Sequence, residues 1–281
     1  LLGFGCSVPA ILSTRRIETR SDRLVTIAVL PMMSCAGRLP IYMMFVSALF
    51  PSRLQAPVLF GIYASGVLLA LCCARLLKNT LFKAPQRDSL HHMKRLRLPS
   101  LRKVGILMWS RAFMYVRKAG TFILGASIIL WFLNTYPRPE EDTAPTNAAA
   151  MEHSYAGQIG HWMEPVTQVA GFDWKINSAL VGAFAAKEIF VTQMGILYAV
   201  EDGNSGPAAQ QTLNTRLKAS YTPLQGISIM IFCLIALPCI GTVTVAKREA
   251  GTWWFALAQF GGLTLLGFAT ATLIYQAGLL L

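Results

Sequence analysis

The chain has 281 residues, of which 54% are apolar and only 14% charged, against roughly 25% charged in soluble domains. Its uncharged stretches are too many for a soluble all-α core of this length and place it among polytopic membrane proteins. A net charge of +12 raises the question of nucleic acid. The bases are segregated, however, and no zinc-finger, RNP or helix-turn-helix pattern accompanies them, which argues against that partner.

The opening run, Gly3 to Leu12, is a short apolar piece ended by Pro9 and by the charged stretch from Ser13 to Arg23. A span from Leu24 to Phe50 follows, interrupted by Arg38 and carrying Pro31 and Pro40. Each proline removes a helical N–H bond and clashes with the preceding turn, so this span is predicted to be kinked or broken. Broken backbone at membrane depth is tolerated only where protein or a watery cavity surrounds it. Arg38 is read as capping a broken half-helix. Pro51-Ser52-Arg53 forms a tight turn, and Leu54 to Ala74 crosses back.

Between Arg75 and Lys118 lie twelve Lys or Arg and one acid, Asp88; between Pro137 and Trp174 lie six acids and one base, Arg138. The positive-inside rule puts the first loop in the cytoplasm, against anionic lipid headgroups, and the second outside. Leu98 to Lys118 reads as an interfacial amphipathic helix. Ala119 to Tyr136 crosses outward, and Ser154 to Val169 forms a helix on the outer surface. Ile176 to Val200 is predicted to return inward, with the polar loop Glu201–Thr222 behind it. Leu224 to Ala246 carries a break at Pro238-Cys239, and Thr252 to about Gln276 is the last span. Simple alternation then puts Lys247-Arg248-Glu249 outside, against the charge rule; a re-entrant segment at Pro238 would remove the conflict.

The fold expected is therefore all-α and polytopic, with about six membrane segments, broken helices, two gate-like repeats and one interfacial amphipathic helix. Its regions are 1–74, the first gate-like region; 75–118, the basic loop with its amphipathic helix; 119–174, a membrane helix and acidic outer loop; and 175–281, the second gate-like region and final helix. The repeats are suggested by Gly3-Phe4-Gly5-Cys6 with Pro31 to Cys35, echoed by Gly182-Ala183-Phe184 with Leu237-Pro238-Cys239. Paired, Gly/Pro-interrupted segments point to a transport site at a repeat interface.

Within the run from Ile176 to Val200, Lys187 and Glu188 stand side by side. A charge at that depth costs on the order of 3 kcal/mol or more and is normally turned toward a protein interior or a watery path. Glu188 is a candidate carboxylate for a cation; the bland reading is a buried ion pair with Lys187. Cys6, Cys35 and Cys239 sit beside helix-breaking residues, where freed carbonyls and side chains share a cavity. Ser7, Met33, Ser34, Gln193, Met194 and Thr242 are weaker candidates. Such mixed soft and hard ligands suit a borderline divalent ion such as Fe²⁺ better than Mg²⁺ or Ca²⁺. The alternative is that each cysteine is a small apolar packing residue, the favoured reading for Cys72, Cys73 and Cys233. The four histidines lie in loops and are read as solvated or interfacial. No phosphate loop, nucleophile elbow or H-E-x-x-H motif occurs, so catalysis is not expected.

Taken together, Gly3-Phe4-Gly5-Cys6-Ser7-Val8-Pro9-Ala10, Pro31 to Tyr42, Gly171 to Lys175, Ala185 to Glu188, Leu237-Pro238-Cys239 and Lys247 to Trp253 resemble the membrane domain of bacterial ferrous iron transport protein B (FeoB). Ser7 stands where that family usually has Asn. The resemblance implies inward transport of Fe²⁺ across the bacterial inner membrane, with Cys6, Cys35 and Cys239 along the ion path. It implies Fe²⁺ as substrate rather than a permanent cofactor. It also implies an N-terminal GTP-binding domain absent from this chain, small accessory Feo proteins as partners, and room for a homo-oligomer. Alternatives are a gate-fold carrier of another divalent metal or of nucleosides, and a truncated membrane scaffold that does not transport.

Overall fold

The computed structural model describes residues 2–80, 100–137, 152–199 and 207–280. Residues 81–99 of the basic loop, including His91 and His92, residues 138–151 of the acidic loop, and residues 200–206 lie outside the described residues. Every regular element among the described residues is helical. The first are α1 (Leu2–Gly5), α2 (Ser7–Ser13), α3 (Arg20–Val29), α4 (Leu39–Leu49) and α5 (Ser52–Thr80). Then come α6 (Leu101–Thr135), α7 (Tyr155–Thr167), α8 (Trp174–Ala185) and α9 (Lys187–Ala199). The last are α10 (Pro207–Ser220), α11 (Pro223–Ile235), α12 (Ile240–Ala250) and α13 (Trp253–Leu280).

Four stretches among the described residues are long and apolar enough to cross a membrane: Arg20–Leu49, Ser52–Thr80, Pro223–Ala250 and Trp253–Leu280. The outer faces of α5 and α13 bear this out, with Phe60, Leu71, Leu265 and Leu273 largely exposed, as lipid-facing residues must be. The broken span is observed: α3 gives way to a 3₁₀ turn at Leu30–Met32, then to Met33-Ser34-Cys35, a second turn at Ala36–Arg38, and α4. Pro31 and Pro40 each sit in a first turn, where a missing N–H costs nothing, so the break falls between them. Pro9 likewise lies in the first turn of α2, and the opening run breaks at Cys6 instead.

Three expectations change. The amphipathic helix and the crossing after it are one continuous helix, α6, roughly 50 Å long at ~1.5 Å per residue. Helical propensity continues across Lys118–Ala119, and nothing there stops it. More consequentially, Ile176 to Val200 does not cross. The chain turns at Ala186, whose extended backbone (φ −150°, ψ 132°) separates α8 from α9, and the two helices run antiparallel. Gly182 faces Ile189, Gln193 donates to Ser178, and Lys175 lies over the Tyr198 ring. This is a re-entrant hairpin with Lys187 and Glu188 at its tip. The re-entrant element is therefore at Ala186 and not at Pro238.

That single turn removes the charge conflict. With the hairpin returning to the side it came from, α11 and α12 carry the chain to the opposite end, where Glu249 pairs with Arg15 and Arg23. Lys78 joins Asp22 at the same end, 2.9 Å away. All of these charges belong to one basic end.

The two halves repeat each other in opposite directions. Cys6 separates α1 from α2 with φ −153° and ψ 136°, nearly the values at Ala186, and each residue's N–H closes a helical bond four residues back, to Leu2 and Gly182. The following helix is broken in both halves. However, α3–α4 starts at the basic end whereas α11–α12 finishes there. Met32, Tyr42, Phe45, Phe172, Phe190 and Met194 are among the buried side chains of the main core between the halves. A smaller cluster of Ile11, Ile27 and Ala246 ties α2, α3 and α12 together near the basic end.

α7 packs on α8 through Gly160, where a Cβ would lie 2.5 Å from the Trp174 carbonyl oxygen. Backbone cannot yield as a side-chain tip does, so Gly160→Ala is expected to destabilise by about 1–3 kcal/mol, read as a lower melting temperature in detergent. The hairpin makes a sharper prediction. Cysteines placed at the exposed positions Lys218 and Arg248, in a background lacking Cys72, should react with a membrane-impermeant maleimide from the outer face at Lys218 and from the cytoplasmic face at Arg248. Labelling at Lys218 from the cytoplasmic face would show that Ile176–Val200 crosses after all.

Candidate functional site

The centre of the molecule is where the breaks of the two repeats meet. A Cβ on Gly37 would stand 2.7 Å from Glu188 Oε1, so the hairpin tip of the second repeat lies against the break of the first, two residues from Cys35. A Cβ there would have to push the flexible carboxylate aside. Gly3 faces Met33 Sδ, and Gly241 faces Val8, with Cys239 Sγ beside it. Residues beside the breaks and the tip at Glu188 thus touch in pairs, Gly37 with Glu188, Gly3 with Met33 and Gly241 with Val8.

A helix that stops inside an apolar medium leaves carbonyl oxygens without donors, and two buried cations meet that demand. Arg38, 2% exposed, donates from Nη1 to the Met33 carbonyl at 3.2 Å, which fits its expected capping role. Lys187, 7% exposed, donates from Nζ to the carbonyls of Cys233 at 3.3 Å and Ala236 at 3.4 Å. The alternative reading, a Lys187–Glu188 ion pair, is not formed; consecutive helical residues diverge by ~100°, and Lys187 turns to backbone carbonyls instead. Glu188 makes no side-chain hydrogen bond or ion pair with the described residues, and its residue is exposed. In the second break Leu237 takes φ +54°, a left-handed conformation costing about 1–3 kcal/mol in a non-glycine residue.

The weaker candidates divide. Ser34 is buried and bonded to the Tyr42 hydroxyl at 3.1 Å, and Thr242 is buried with its hydroxyl 3.2 Å from Cys239 Sγ. Ser7 is buried and Met33 half-buried at the breaks. Gln193 is a turn and more from the tip and forms a reciprocal amide pair with Asn134, both bonds 2.9 Å. Met194 is fully buried in the main core. Among the described residues no three His, Cys, Asp or Glu side chains stand together as a metal cluster, and none of the six cysteines is joined in a disulfide.

Sequence reasoning missed a second polar group, at the end where the hairpin opens. Asp173 caps α8, accepting from Ile176 N at 2.9 Å. The Tyr221 hydroxyl donates to Asp173 Oδ2 at 2.8 Å, and Tyr198 donates to Tyr221 at 3.0 Å. Burial raises the Asp173 carboxyl above the ordinary carboxylate range. Burial, and then the Asp173 charge, also hold the Tyr221 hydroxyl protonated. The signal in the sequence was the acid directly before Trp174, an N-cap position; nothing local announced its tyrosine partners.

A carboxyl whose folded pKa is raised stabilises the fold below its unfolded value of about 3.9, and that contribution fades as pH rises through the folded value. The melting temperature of the wild type relative to Asp173→Asn should therefore fall as pH rises from about 4 and then level off. A difference independent of pH would show that burial does not perturb this carboxyl.

Two family descriptions match the chain: "Nucleoside recognition", a gate domain, over residues 116–253, and "Ferrous iron transport protein B C terminus" over residues 59–111. A Porphyromonas gingivalis protein named as an Fe(2+) transport protein A/Fe(2+) transporter FeoB fusion is 35% identical, covering 100% of this chain and 37% of its own length. An Fe(2+) transporter FeoB from Campylobacter jejuni is 38% identical over 92% of this chain and 42% of itself. A Methanocaldococcus jannaschii protein of the same name is 35% identical over 100% and 41%. The chain thus spans less than half the length of these curated relatives. No solved structure matches it.

Proposed function

We propose, given that the chain belongs to the ferrous iron transport protein B family, that its membrane helices form the permeation path for Fe²⁺. Glu188 is the charged ligand, and the breaks at Cys6, Cys35 and Cys239 flank it. One observation carries this reading. Glu188 brings an unpaired carboxylate to the contact between the two repeats, held against Gly37, while the neighbouring cations are committed to carbonyls.

A cargo ion must leave again, so its binding has to be weak and distributed. One carboxylate with nearby thiols, hydroxyls and freed carbonyls suits a borderline ion in passage better than a closed cage would. By the positive-inside rule the basic end faces the cytoplasm, so uptake across a bacterial inner membrane would carry the ion toward that end. Nucleotide hydrolysis would belong to the N-terminal G domain that the resemblance implies, with small accessory proteins and a homo-oligomer as further partners, and the part proposed for this chain is passage. A nucleoside would need aromatic rings for its base. The cavity of about 320 Å³ at the basic end is lined by Glu18, Arg20, Arg23 and Glu249 among others and by no aromatic residue.

Uptake of radiolabelled Fe²⁺ by the full-length protein tests the proposal. Glu188→Gln should lower uptake about ten-fold or more, the equivalent of ~1.4 kcal/mol in ion stabilisation, with folding retained. Cys6→Ser, Cys35→Ser and Cys239→Ser should each reduce it less. Wild-type rates in Glu188→Gln would remove the carboxylate from the path, and competition by nucleosides would favour the other cargo.

A further inference from the structure

The carbonyls that Lys187 engages are those of an interrupted half-helix. α11 ends at Ile235, and Pro238 has no N–H to offer the Leu234 carbonyl four residues back. The Ala236 N–H still closes on the Phe232 carbonyl at 2.8 Å, but the backbone beyond turns through the left-handed Leu237, so no helical donor returns to the carbonyls that follow Phe232. The C-terminal end of such a half-helix carries roughly half a negative charge. In carriers built from discontinuous helices, half-helix ends and unwound carbonyls are where a small coupling cation sits. Here the place is filled by the chain itself. The ammonium of Lys187 lies 3.3 Å from the Cys233 oxygen and 3.4 Å from the Ala236 oxygen, is almost wholly buried, and has no carboxylate as counter-charge among the described residues. It reaches this position from the tip of the re-entrant hairpin, as the first residue of α9.

We infer that Lys187 is a tethered substitute for a monovalent cation: its ammonium occupies a carbonyl site at the second helix break that would otherwise take sodium, potassium or a small ammonium ion. The hairpin tip and the end of α11 are thereby joined without a dissolved ion, and their closure is not linked to a monovalent cation gradient. Arg38 does comparable work on the Met33 carbonyl at the first break, so neither break depends on a soluble cation. The inference concerns the break itself and holds whether or not iron is the cargo.

The test uses purified full-length protein in lipid nanodiscs, with melting followed in sodium, potassium, methylammonium or choline chloride at equal ionic strength. Wild type should melt at the same temperature in all four salts. Lys187→Ala, which removes the ammonium and opens space before the two carbonyls, should melt lower in choline. It should regain much of the loss, saturably, in methylammonium or an alkali cation. Lys187→Met fills the same space without charge and should show no such recovery. A Lys187→Ala protein that responds to no small cation, or is recovered folded in none of the four salts, overturns the inference. So does a Lys187→Met protein that responds as strongly as Lys187→Ala, or a wild type stabilised by sodium or potassium over choline. The readout contains no iron, so its failure is distinct from failure of the Glu188→Gln uptake experiment.

Discussion

Each interrupted helix in this protein exposes carbonyl oxygens in a place where water cannot repair the loss, and the arrangement rests on two buried cations that do so. Arg38 and Lys187 differ in reach and in origin: one is folded back from the turn that follows its own break, the other is delivered from a hairpin tip. Both turn an otherwise prohibitive feature, a helix stopped at membrane depth, into a stable one. Because the cations are committed to carbonyls, the acidic member of the Lys187–Glu188 pair is left without a partner among the described residues. The exposed carboxylate at the centre is a consequence of how the breaks are satisfied.

The inverted relation of the two halves explains why these elements meet. A hairpin entering from one end and a broken helix entering from the other can only converge near the middle, and the close approach at Gly37 marks that convergence. The near-identical backbone angles at Cys6 and Ala186 show that the same bend is used in both halves with different chemistry. A thiol stands at one bend, and a methyl group followed by a lysine at the other. Structural repetition thus coexists with a functional asymmetry.

The two ends are secured by different means. At the basic end Glu249 is held by Arg15 and Arg23, joining the first repeat to α12. At the other end the buried chain of Asp173, Tyr221 and Tyr198 fastens the mouth of the hairpin to the segment leading into α11. Between these anchors the tip carrying Lys187 and Glu188 is the part of the hairpin farthest from the fastening at its own mouth.

Composition alone established a helical membrane protein, and the prolines and the isolated charges located the breaks and singled out Arg38, Lys187, Glu188 and three cysteines. Those are properties of single residues in an apolar context, where each polar group or missing N–H carries a cost that must be met. What hydropathy could not show was whether Ile176 to Val200 crosses or doubles back, because both solutions satisfy every backbone group internally and both need the same apolar length. Contacts between distant positions decided it: Gly182 with Ile189, Ser178 with Gln193, Asp173 with Tyr221. The partner of Lys187 was hidden for the same reason, since backbone carbonyls carry no mark in a sequence and become available only when a helix ends. Local residue chemistry fixed where the chain had to bend, and packing between the two halves decided which way it turned and what each charge would touch.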